Sequence, residues 1–188
     1  VSYVENVPYP VRSGLYNAAT NLEEPSSAIN NLLQGKVGPA VENVGRFVIN
    51  STVGLLGIFD VAQHMGMEPQ LEEFGEVLGV WGVDTGPYLM LPVMGPTDAR
   101  DKVGDFVDGT YFPISELNFY TTFFRYTIKG LHVRGELIQQ ESLLDGAIDP
   151  YSMVKDIYFQ NVENKVNDGE ILEEELDEEL ESLMDEID

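Results

Sequence analysis

FGEVLGVWGVDTGPYLMLPVMGPTDARD, from Phe74 to Asp101, decides how this chain is read. The stretch is apolar and aromatic, yet Gly75, Gly79, Gly82, Gly86 and Gly95 interrupt it, with Pro87, Pro92 and Pro96. A water-soluble domain writes so apolar a stretch as a periodic helix or an alternating strand. Here Gly and Pro forbid a long regular run, while Tyr88-Leu89-Met90-Leu91 is too apolar for an ordinary exposed loop. Irregular apolar backbone is tolerated where it is buried in protein or lines a cavity. The pattern points to a lipid-handling surface before it points to an enzyme.

Charge narrows the partners. The 188 residues carry a formal net charge of −23, unevenly placed. From Glu163 to Asp188 there are 13 acids and one base, Lys165. Nucleic acid is excluded as a partner, because phosphate binding needs clustered Lys and Arg. Electrostatic docking to anionic lipid is disfavoured for the same reason, so membrane contact rests on apolar insertion or a covalent anchor. With no cysteine, disulfides, thiolate metal sites and a Cys nucleophile are absent. The most apolar segment, Phe47 to Ala62, is short and holds Asn50, Ser51, Thr52 and Asp60; it can lie in an interface but not cross as a simple helix.

Helix signals dominate elsewhere. Pro25 opens a helix that Gly35 stops, and Gly38-Pro39 opens another with Val41, Val44, Phe47 and Val48 on one stripe. Thr97 is placed as the N-cap of a helix ending at Gly109, with Asp98 in its first turn. A long aromatic helix is expected from about Ser115 to about Asp145. Asp149-Pro150 starts the next, with Met153, Val154, Ile157, Tyr158 and Val162 as its buried face. Leu172, Leu176, Leu180, Leu183 and Ile187 then make a narrow seam on an acidic helix, a candidate docking edge. The expected architecture is mainly α with little or no sheet: residues 1–168 as one helical domain, 169–188 as an acidic tail.

Chemistry is thinly represented. His64 and His132 are far apart and neither sits in a metal-binding spacing. There is no nucleophile elbow, P-loop or dinucleotide fingerprint, so no catalytic residue, metal or cofactor is assigned. Asp98, Asp101, Asp105 and Asp108 fall along one helical face, read as solvated because one face cannot supply a hard-cation shell. Arg100 and Asp101, together with Arg46 and Asp60, are candidates for buried ion pairs that hold helices in register, with scattered surface charges as the equal alternative. Phe119, Tyr120, Phe123, Phe124 and Tyr126 surround their helix, which is therefore either deeply buried or in contact with lipid.

Taken in order, five blocks resemble the MlaA (VacJ) family of outer-membrane lipoproteins. They are VPYPVRSGLYNAATNLEEP (Val7 to Pro25), NNLLQGK (Asn30 to Lys36), RFVINSTVGLLGIFDVA (Arg46 to Ala62), EFGEVLGVWGVDTGPYLMLPVMGPTDARD (Glu73 to Asp101) and DPYSMVKDIYFQN (Asp149 to Asn161). The resemblance implies a ring-like helical protein in the periplasmic-side leaflet of the outer membrane, beside a porin trimer. It would pass mislocalised phospholipid through an amphipathic channel to a periplasmic lipid-carrier protein. Gly82, Gly86, Pro87, Tyr88, Leu91, Pro92 and Gly95 would line that passage; Arg46, Asn50, Asp60, Arg100 and Asp101 would hold the ring together. The family's lipid-bearing N-terminal cysteine has no counterpart here, so a chain without its anchor is expected. Two rivals stay open: a peripheral membrane scaffold without a passage, and a lipid hydrolase using His64 or His132.

Overall fold

Helix ends are set locally and their packing is set by polar groups. The structure is a computed structural model, which describes residues 6–91, 95–137 and 149–169. Helix α1 (Tyr9–Asn21) leads into α2 (Glu24–Leu33), where Pro25 occupies the first turn. Gly35, at φ 82°, ends α2 and turns the chain into α3 (Val37–Thr52). A short α4 (Val61–His64) is capped by Asp60, whose side chain accepts from the Gln63 backbone N–H.

The diagnostic stretch is more regular than its Gly and Pro content suggests. Phe74–Val80 forms α5, closed by a capping box between Glu73 and Glu76. β1 (Tyr88–Leu91) and β2 (Gly95–Asp98) then pair antiparallel, Tyr88 opposite Asp98 and Leu91 opposite Gly95. The sheet is confined to this hairpin among the described residues. Helix α6 (Ala99–Asp108) follows at once, one residue later than the sequence suggests. Thr97 belongs to the strand, and Asp98 is the cap, accepting from the Asp101 N–H at 2.9 Å. Gly104 lets α6 cross α5 backbone to backbone, because a Cβ there would stand 2.4 Å from the Gly75 nitrogen.

Beyond the 3₁₀ turn Ile114–Glu116, α7 spans Phe119–Leu137. It starts later than expected because Asn118 caps it, accepting from the Thr121 N–H. Helix α8 (Pro150–Val166) begins as its Asp149-Pro150 signal requires, with Asp149 accepting from the Tyr151 and Ser152 N–H groups. Its buried face is narrower than the apolar spacing implies, since Val162 is buried while Ile157 is exposed. The acidic seam of Leu176, Leu180, Leu183 and Ile187, and the residue Pro92, lie outside the described residues.

The interior is where this molecule departs from an ordinary globule. Buried apolar side chains are few and mostly small: Ala19, Ala28, Ala40, Ala62, Val77, Ile114, Ile128 and Val162. Between them lie Asn21, Glu24, Asn30, Asn31, Asn43, Arg46 and Asn50, all buried. Meanwhile Val41, Val44 and Val48 on α3 face outward. The apolar stripe read from the sequence is real, and the polar stripe Asn43, Arg46 and Asn50 is the one that packs.

Candidate functional site

Burying charge costs several kcal/mol per ion unless it is paired and hydrogen-bonded, and here it is. Glu24 accepts from Arg46 Nε and from Asn43 Nδ2, each at 2.7 Å. Arg46 also reaches the Met67 carbonyl at 2.5 Å and Asp60 at 2.8 Å. Asn50 donates to Asp60 at 2.9 Å and accepts from the Ala62 N–H. Asn31 joins Asn43 at 3.0 Å, and both amides donate to the Gln70 carbonyl. This network ties α2, α3, α4 and the 67–72 segment together. Burial pushes the Glu24 carboxyl up despite its donors. Burial also opposes charge on Asp60, but Arg46, the Gln63 N–H and Asn50 hold its carboxyl below the usual range.

A second polar cluster seats α8. The Tyr158 hydroxyl lies 2.6 Å from an Asp101 oxygen and 2.9 Å from an Asp98 oxygen. Burial and the two carboxylates raise the Tyr158 phenol far above its ordinary range. Lys165 pairs with Glu73 and Glu76. Burial, a hydrogen bond to Glu72 and the neighbouring carboxylates push Glu76 up to about 8, against the pull of Lys165. Asp108, pushed up to about 6 chiefly by burial, accepts from Asn30 and from the Phe74 N–H. The acidic face of α6 is thus a packing face and not the solvated one expected. Among the described residues, no group of three or more His, Asp or Glu could hold a metal ion.

Helix α7 meets the rest through ions: Glu23 binds both Arg125 and Lys129. Its aromatic half stands clear, with Phe119 77% and Tyr120 81% exposed and Phe123 and Phe124 also outside. Of the two readings of that helix, deep burial is eliminated. Leu55, Leu56, Val80, Trp81 and Val83 are exposed as well. No helix of the described residues is long and apolar enough to cross a membrane.

A cavity of about 750 Å³ opens between α1, the Ile58–His64 segment and α7. Tyr16 and His132 both line it and stack on each other, ring centres 3.9 Å apart. His64 Nδ1 lies 2.8 Å from the Asp60 carbonyl. The two histidines, 68 positions apart in a chain that gave them no shared motif, therefore line one wall system.

The other sequence candidates fall into two places. Arg46, Asn50 and Asp60 form one bonded set. Arg100 and Asp101 do not pair with each other: Arg100 Nη1 donates to the Val83 carbonyl at 3.2 Å, and Asp101 accepts from Tyr158. Gly82, Gly86 and Gly95 adopt positive φ at the turns that bound the hairpin. Tyr88 packs edge-on against Tyr151 and Tyr158 of α8, at 5.8 and 5.6 Å. Neither these residues nor Pro87 and Leu91 line the cavity of α1. Sequence reading overlooked Glu24, Asn31 and Asn43, for which the period of buried polar residues on α2 and α3 was the signal available, and placed Tyr158 on a buried face without its carboxylate partners.

Helices that turn aliphatic and aromatic side chains outward and bond a charged interior define a class, proteins that work against an apolar surround. Comparison with known proteins gives the particular family. The family model described as MlaA lipoprotein matches residues 1–165. The Escherichia coli K12 protein named intermembrane phospholipid transport system lipoprotein MlaA is 37% identical over 178 residues, 93% of this chain and 71% of its own. The Haemophilus influenzae protein of the same name is 37% identical over 186 residues, 96% of this chain and 72% of its own. A structure solved in work on the "structural basis for maintenance of bacterial outer membrane lipid asymmetry" superimposes with a TM-score of 0.83 at 34% identity, over 88% of this chain and 84% of the other. The chain belongs to the MlaA lipoprotein family. It is a member of a transport family and not an enzyme.

Proposed function

We propose that this protein removes mislocalised phospholipid from the outer leaflet of the bacterial outer membrane and passes it to a periplasmic carrier. The observation that carries the reading is the inversion of polarity. Exposed Val, Leu, Phe and Tyr side chains cover helices whose inward faces are Asn, Glu and Arg. In water such a surface is a liability; against acyl chains it is the solvated face, and the bonded interior keeps its polar groups out of hydrocarbon. An amphiphile needs both characters side by side, so that its headgroup need not cross hydrocarbon unaccompanied. No covalent step is required.

The protein would lie in the periplasmic leaflet of that membrane, beside a porin trimer, as the resemblance of its sequence blocks implies. Gly82, Gly86, Pro87, Tyr88, Leu91, Pro92 and Gly95 would border the passage. The acidic segment 169–188 would dock to a basic partner, the carrier, through Leu176, Leu180, Leu183 and Ile187. Removing residues 170–188 is then expected to weaken carrier binding and flatten its salt dependence. For the passage, a strain lacking its own family member is complemented with this chain and surface-exposed phospholipid is measured. Restoration of asymmetry is the expected result, lost on Leu91→Trp in the hairpin with membrane association retained. Membrane association without restored asymmetry in the unaltered chain would favour the scaffold reading instead.

A further inference from the structure

The cavity between α1 and the Ile58–His64 segment has a chemistry unlike that of the bonded interior. It is a cleft open to solvent with about 750 Å³ of space, room enough for a small polar headgroup. Among the described residues, no Lys or Arg lines it. Arg46, behind Asp60, is engaged by Glu24, Asp60 and the Met67 carbonyl. Arg12 lies over the Tyr9 ring and donates to the Val7 carbonyl. A headgroup of net negative charge entering here meets no lining cation, whereas a zwitterion brings its own.

Acceptors and aromatic faces stand among the lining groups, beside the Ser13 hydroxyl and the Gln63 amide. A carbonyl oxygen only accepts, so the contact with the Asp60 carbonyl needs a proton on His64 Nδ1, and in that Nδ1–H tautomer Nε2 is the ring's acceptor. Asn17 donates its amide nitrogen to the Ile58 carbonyl at 3.4 Å, which leaves Oδ1 as a second acceptor. The stacked Tyr16 and His132 rings add π faces, to which a cation is drawn. The same wall has an apolar continuation: Ile58 and Phe59 follow Leu55 and Leu56, exposed leucines held at φ 52° and 59°. Left-handed backbone costs such residues about 1–2 kcal/mol each, which marks a segment shaped for something other than stability.

We propose that this cavity is a headgroup site selective for the primary ammonium of an ethanolamine-class phospholipid. His64 Nε2 and Asn17 Oδ1 accept its N–H groups, the Tyr16–His132 stack faces its charge, and the acyl chains leave along Ile58 and Phe59. The assignment rests on the reading that this chain handles phospholipid. A choline headgroup has the charge but no N–H donor, and a glycerol headgroup has hydroxyls but no cation; neither satisfies both features.

The test is calorimetric binding of short-chain phosphatidylethanolamine, phosphatidylcholine and phosphatidylglycerol with identical acyl chains, and of free ethanolamine, to the full chain at mildly alkaline pH. The ethanolamine lipid is expected to bind at least about tenfold more tightly than the other two, and free ethanolamine far more weakly than its lipid. His64→Phe, which keeps a ring and removes the acceptor, and Asn17→Leu should each cut the preference severalfold, with circular dichroism confirming the fold. Equal binding of the three lipids, or an undiminished preference in both variants, overturns the site. Free ethanolamine binding as tightly as the lipid overturns the amphiphile assignment. Selective binding by a chain that moves no lipid in cells upholds the site and refutes the transport reading; transport without headgroup preference does the reverse.

Discussion

The Arg46 guanidinium on α3 and the Glu24 carboxylate on α2 meet at 2.7 Å, both side chains nearly sealed from solvent. Two helices that in most domains would mesh leucines are here clamped by an ion pair, with Asn31 and Asn43 bonded beside it. The outward valines of α3 are the consequence, since a helix has only one face to turn away.

Removing one partner of that pair should therefore be severe. Arg46→Met leaves the buried Glu24 and the half-buried Asp60 without their cation, and a loss of about 3–5 kcal/mol is expected. Denaturant unfolding in mild detergent measures it. Arg46→Lys should recover only part, because one ammonium cannot reproduce the forked contacts to Glu24, Asp60 and Met67. Wild-type stability in Arg46→Met would sink this account of the interior.

Tyr158→Phe tests how α8 is seated. The hydroxyl is shared between Asp98 and Asp101, and its loss strands two carboxylates near the start of α6. About 1–3 kcal/mol should be lost. Amide exchange should quicken across 150–166 while α2 and α3 keep their protection. Uniform acceleration everywhere would show that α8 is not a separable element.

Glu76 sets a pH dependence. Its carboxyl is pushed up to about 8 in the fold, above the ordinary 4.5. The unfolded chain thus releases that proton first, and this group's contribution to stability declines as pH rises from about 4.5 to about 8. Glu76→Gln keeps an oxygen for the Glu73 N–H and removes the titration. The variant should gain relative to the parent on the alkaline side, on the order of a few kcal/mol at most, and match it near pH 4.5. Parallel melting curves across this range would contradict the assignment.

Leu55→Gly separates strain from lipid contact. Glycine takes φ 52° without a Cβ clash, so the fold should gain about 1 kcal/mol. The exposed leucine surface disappears at the same time, so partition into phospholipid vesicles should fall severalfold. A variant both less stable and equally membrane-bound would refute both halves.

Much of the fold could be read in advance because its signals are local. Pro25, Gly35 and Asp149-Pro150 punctuate helices wherever the chain is placed. The Phe74–Asp101 stretch was harder. Its glycines hide a seven-residue helix that depends on the Glu73–Glu76 box, and a hairpin that depends on positive φ at Gly86 and Gly95. The cavity was invisible, because Tyr16, His64 and His132 come from three segments with no common spacing.

From its residues alone the chain determined that it is helical, acidic and free of cysteine, that its helices have two unlike faces, and which family's ordered blocks it shares. Periodicity is a property of one helix and says only that the faces differ. Which of them turns inward depends on partners supplied from elsewhere: Asp60 for Arg46, Glu23 for Arg125, Asp98 for Tyr158. Only the tertiary structure could decide that, because a buried charge is tolerable solely where a distant segment brings its counter-charge within hydrogen-bonding reach.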